Sequence, residues 1–170
     1  MTDQESSPST SSHAAELSIA VRVTEKALAT LREQSADGSG AYRDAHPWIV
    51  AHRLWQEAQQ QQRSLPLIFS AGDNQDHGPE FAYWGLLTNI DLVELHRSSW
   101  QTRAQFDFLR EVHPIFTSID SLFMQPTAEQ IERETKEGVT MQRQALTVHA
   151  LHPYAIVETP AYILEALQRG

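Results

Sequence analysis

The sequence predicts a single α+β domain in which a small, mostly antiparallel sheet is flanked by helices. Three observations carry that expectation. Two apolar runs, Leu65 to Phe69 and Phe81 to Leu95, flank a polar segment with Gly72, Asp73, Asn74, Asp76, Gly78 and Pro79, the pattern of paired strands joined by a long connection. Upstream, Trp48, Ala51, Trp55 and Ala58 recur at helical spacing between Asp44 and Arg63, so a helix presents an apolar face to those strands. The chain has 170 residues, 41% of them hydrophobic, and no stretch within residues 14–170 reads as an interdomain linker.

In order along the chain, Met1 to His13 is rich in Ser and Thr and nearly without apolar side chains. It is expected to be a disordered tail, because it cannot bury enough surface to offset the entropy of ordering. Leu17, Ile19, Val21 and Val23 alternate with Ser18, Ala20 and Arg22 as in a half-buried strand, although Leu17, Val21, Leu28 and Leu31 also fit one helical stripe. The β-branched density from Ile19 to Val23 favours a strand followed by a helix with Thr24 as N-cap. Ala36 to Arg43, with Gly38 and Gly40, reads as a loop. The helix from Asp44 to Arg63 takes Asp44 or His46 as its cap and carries Pro47 in the first turn, where the missing N–H costs nothing.

After the central pair, His96 to Arg103 reads as a polar link and Gln105 to Val112 as a third strand pairing back onto the second. Ile115 to Met124 is apolar without a clean period. Thr127 and Gln130 form a capping box at the head of a helix reaching Glu137, and Gly138 is its stop; its charged faces mark a surface helix. Gln144 to Leu151 reads as a strand or a helical turn, Tyr154 to Val157 as a strand, and Ala161 to Gln168 as a C-terminal helix.

The net charge is −9, from 13 basic and 22 acidic residues, which argues against a general grip on duplex phosphate. Among the bases only Lys26 and Lys136 are lysines, so a local anion site would use arginine forks. There is no cysteine, which excludes disulfides, thiolate zinc sites and cysteine nucleophiles. No apolar run approaches the ~20 residues of a membrane span, and a cytoplasmic protein without membrane contact is expected.

The order of parts, with Pro66–Ser70 (PLIFS), a polar loop, Tyr83–Leu95 (YWGLLTNIDLVEL) and Phe106–Val112 (FDFLREV), resembles the PUA-like group, including the ASCH and EVE domains. The resemblance covers about residues 46–160 and rests on a strand pattern and one glycine, Gly85, followed by Leu86, Leu87 and Ile90. It implies a small β-barrel or strongly curved sheet, and a non-catalytic module for RNA, a nucleotide or a modified base. A glycine inside a strand permits a sharp bend, which would place Trp84-Gly85 beside a cavity. The resemblance then implies an aromatic pocket, drawing on Tyr83, Trp84 and Trp100, with Ser70, Asp73, Thr88 and Asn89 as hydrogen-bonding groups. Arg97 and Arg103 flank Trp100 and complete the candidate ligand-binding set. Trp48 and Trp55, on the helix face, are expected in the core.

No catalytic residue, metal site or cofactor is implied. The sequence has no P-loop, dinucleotide glycine pattern or nucleophile elbow. His149-x-x-His152 and Asp73-x-x-Asp76-His77 lack the helical spacing of a zinc enzyme. Besides a nucleotide or single-stranded nucleic acid, the acidic balance fits a basic protein partner, as for an inhibitor or immunity-type protein. An uncharacterised hydrolase or metal enzyme is the third class.

Overall fold

The structure is a computed structural model, and it describes residues 16–35, 37–74, 78–96, 99–112, 122–139, 143–147, 149–151 and 153–169. The expected tail, Met1 to His13, lies outside the described residues. Six strands form one sheet: β1 (Leu17–Arg22), β2 (Ser39–Asp44), β3 (Pro66–Asn74), β4 (Gly78–His96), β5 (Ser99–Glu111) and β6 (Ala155–Glu158). The helices are α1 (Glu25–Gln34), α2 (Ile49–Gln60), α3 (Ala128–Glu137) and α4 (Ala161–Arg169), with a 3₁₀ turn at His149–Leu151.

The strand order is β2-β5-β4-β3-β1-β6. Neighbours run antiparallel except β1 and β3, which pair in parallel with Ile19 beside Leu67 and Val21 beside Phe69. A parallel pair needs a crossover. Here α1, β2 and α2 supply it, and β2 is laid down at the far edge of the sheet on the way.

Successive strand side chains leave opposite faces, and both faces of the central strands are apolar. Ile19, Val21, Leu67 and Phe69 face Leu28 and Leu31 of α1 and Trp48, Ala51 and Ala58 around α2. Ala20, Ile68 and Trp84 share the other face with Leu122, Leu146, Leu151 and Ile163. The domain is therefore a mixed sheet covered on two sides.

Several expectations hold and several are corrected. Thr24 caps α1, accepting from the Ala27 N–H at 3.0 Å. Thr127 and Gln130 close the capping box of α3, and Gly138 ends it at φ 69°. The sheet, however, is open, with β2 and β6 as its edges, so the expected barrel closure is not seen. The stretch expected as a loop, Ala36 to Arg43, contains β2, whose pairing comes from β5 and not from its own pattern. The helix begins at Ile49 because Asp44 belongs to β2; Asp44 Oδ2 instead accepts from Trp48 Nε1 at 2.7 Å. The polar link His96–Arg103 is mostly strand, since β5 starts at Ser99 and pairs with the end of β4.

Gly40 sits where α1 hands over to β2. A Cβ there would lie 2.9 Å from Phe106 Cζ and closer still to Ser35 Oγ. The Ser35 hydroxyl can turn away, but the Phe106 ring is locked in the core. Gly40→Ala is expected to lower stability in urea unfolding by about 1 to 3 kcal/mol, the cost of overpacking.

Candidate interaction site

The residues expected to form an aromatic pocket are not brought together. Tyr83 and Trp84 are adjacent on β4 and so leave opposite faces. Trp84 is 3% exposed in the second core, with the Arg110 guanidinium 5.2 Å from its ring centre. Tyr83 packs against the first core under Arg32, also at 5.2 Å. Ser70 is wholly buried and donates to the Val21 carbonyl at 3.2 Å, which ties β3 to β1.

The remaining candidates lie on the long β4–β5 hairpin, near the end of β3 or outside the described residues. Thr88 is exposed at a register shift between Leu87 and Asn89. Asn89 Nδ2 donates to Asp91 Oδ1 at 2.9 Å and to Gln105 Oε1 at 3.3 Å, so neighbours occupy its amide. Trp100 pairs with Glu94 and Arg103 with Asp91, and the odd spacing puts Trp100 and Arg103 on opposite faces of the hairpin. Arg97 lies outside the described residues. The backbone of Asp73 is part of β3. His77, His113 and His152 also fall outside the described residues. No group of three or more metal-ligating side chains occurs among the described residues.

What the structure does gather is an apolar end of the hairpin. Thr102 accepts from the Trp48 backbone N–H at 3.0 Å and donates to the His46 carbonyl, pinning the start of α2 to β5. The next two helical residues, Ile49 and Val50, are exposed. Two residues beyond Thr102 on the same face, Trp100 is 38% exposed. Val93 and Leu95 are exposed on the other face, Leu95 at 56%. Trp100 was legible from sequence as the tryptophan least explained by core packing. Ile49 and Val50 were masked by their place inside an amphipathic helix.

A second gathered group is ionic. The Arg143 guanidinium bonds the carboxylates of Glu134 on α3 and Glu158 on β6, the latter at 3.1 Å. Hydrogen bonding to Glu134 and then to Glu158 pushes the Arg143 pKa up and holds it charged. These groups satisfy one another and leave a structural clamp. No family model, curated protein or solved structure matches the chain.

Burial pushes the Tyr42 phenol up to about 12, with the Asp44 carboxylate adding to the effect, and burial alone does the same for Tyr162. A raised folded pKa favours the neutral phenol, so its stabilising effect is complete below pH 10 and fades as pH rises towards 12. The urea midpoint is expected to fall across that window, and to fall less steeply in Tyr42→Phe.

Proposed function

We propose that the protein is a non-catalytic interaction module that holds a protein partner against the free end of the β4–β5 hairpin. The observation that carries this reading is the exposure of Trp100, Val93 and Leu95 on strands that run past both cores, with Ile49 and Val50 also exposed just after the Trp48 backbone that Thr102 holds. Beyond Leu92 no described residue of β4 is buried, so the hairpin end offers apolar surface from two faces. Apolar and aromatic side chains collected at one end are what an interface core requires.

The chemistry at Trp100 favours a basic partner. Glu94 stands directly across from it, so a lysine or arginine of the partner can sit over the ring while reaching the carboxylate. The net charge of −9 adds long-range steering towards such a target.

The same ring supports a second reading, binding of a nucleotide or single-stranded nucleic acid. Base stacking on one aromatic is worth about 1 to 3 kcal/mol. The PUA-like likeness behind that reading is carried by the strand pattern around Gly85, and the open sheet gives it an exposed ring in place of an enclosed pocket.

Two variants separate these readings from a structural role. Trp100→Ala is expected to weaken capture of the protein partner by about 2 kcal/mol or more, as for a central aromatic anchor, and Leu95→Ser to weaken it less. Their unfolding free energies should stay within about 0.5 kcal/mol of the parent, because the side chains are exposed. Capture unchanged by Trp100→Ala would contradict the hairpin reading. Quenching of Trp100 fluorescence by nucleosides would favour the second reading.

A further inference from the structure

We infer that the outer edge of β2 is a separate binding site that takes an extended acidic peptide as a seventh strand. This goes beyond the hairpin reading and does not depend on it. The two sheet edges differ. At β6 the edge is covered, because the Gln125 N–H donates to the Ile156 carbonyl at 3.0 Å and the Glu158 N–H to the Phe123 carbonyl at 2.9 Å.

At β2 it is open. The Phe108 N–H donates to the Gly38 carbonyl, and with the register of β2 on β5 this turns the backbone groups of Gly40 and Tyr42 towards β5. Alternation then points those of Ser39, Ala41 and Arg43 outward. The Ser39 N–H is taken by Asp37 Oδ1 at 3.2 Å. Among the described residues, the outward groups of Ala41 and Arg43 have no partner. Unpaired edge groups of this kind template an added strand.

Charge selects the occupant. Between α1 and β2 runs a groove of about 510 Å³, lined by Thr24, Lys26, Thr30, Gln34, Tyr42 and Arg43, with no carboxylate on its wall. Neither Lys26 nor Arg43 makes an ion pair among the described residues. Across the sheet Arg43 stands directly opposite Arg103, and Arg103 opposite Asp91. Arg103 Nε is buried without a hydrogen-bond partner among the described residues. Like charges directly opposite are unfavourable, and an acid beside Arg43 on a further strand offsets them. The next acid on that strand leaves the other face, towards α1, where Lys26 lies. A second copy of this edge would instead bring a second Arg43 and a second Lys26 to it, which argues for an acidic peptide over self-pairing.

The test uses fluorescence anisotropy on the full chain with labelled octapeptides of valine and threonine carrying two central glutamates or two central lysines. The glutamate peptide is expected to bind about tenfold or more tightly than the lysine peptide, and Arg43→Glu to reverse the preference. Ala41→Pro removes one outward N–H without touching the ladder to β5 and should weaken binding, with the far-ultraviolet circular dichroism unchanged. A glutamate peptide N-methylated on its ladder-facing amides should fail to bind. Equal binding of the N-methylated peptide, or no reversal in Arg43→Glu, would overturn the proposal. A chain that dimerises, and is made monomeric by Ala41→Pro, would overturn it in favour of a second copy. Trp100→Ala should leave peptide binding intact, so the two sites fail separately.

Discussion

The fold depends on one constraint: Leu67, Ile68 and Phe69 fall on consecutive positions of β3 and are all wholly buried. A strand with apolar side chains on both faces cannot line a sheet that is wet on one side. It must sit in the middle, with cover above and below. The parallel partner β1 meets the same demand, since Ser18, Ile19, Ala20 and Val21 are all at 0% exposure. On one side α1 and α2 provide the cover, and on the other the segments carrying Leu122, Leu146, Leu151 and Ile163 do so. With cover supplied by other elements, the sheet has no need to curl onto itself, and it keeps two edges.

Those edges are unlike because of where the chain goes next. Residues after β5 return to flank β6, where Phe123 and Gln125 bond its outer side on either side of Met124, which stands across from Val157. At the other end, β2 is reached in mid-crossover and nothing among the described residues follows it outward. The hairpin end is a third consequence. Trp48 is wholly buried between Tyr42 and Tyr154, at ring distances of 5.9 and 5.0 Å, and its backbone bond to Thr102 fixes α2 against β5. Past that anchor, β4 and β5 continue, and none of the described helices covers them. Exposed apolar side chains there, and at the β2 edge outward backbone groups without a partner among the described residues, are thus separate products of one layout.

Much of this was legible in the sequence, and the failures have particular causes. Strands with strong apolar runs (β1, β3 and β4) and helices with side-chain caps (α1 and α3) announce themselves through local chemistry. The strand β2 does not, because Ser39, Gly40 and Ala41 have low strand propensity and the pairing is imposed by β5. Asp44 and His46 looked like caps, yet Asp44 is committed to Trp48 Nε1 and the helix starts later without a side-chain cap. The candidate pocket failed for a reason of parity. Neighbouring strand residues such as Tyr83 and Trp84 cannot share a cavity, and Ser70 serves an internal bond to Val21. Trp100 alone among those aromatics was both singled out and exposed. The Arg43–Arg103 opposition was out of reach, because it exists only once the β2–β5 register is known.

The sheet is open and buried on both faces, and among the described residues its β2 edge is free. Amide hydrogen exchange resolved by residue tests it most directly, since protection along an edge strand alternates when one side of the ladder is unpaired. Slow exchange is expected at Gly40 and Tyr42, fast exchange at Ala41 and Arg43, and the slowest exchange in the chain around Leu67 to Phe69. Uniform protection from Gly40 to Arg43 would mean that a partner strand lies along that edge, and the open-sheet account would be contradicted.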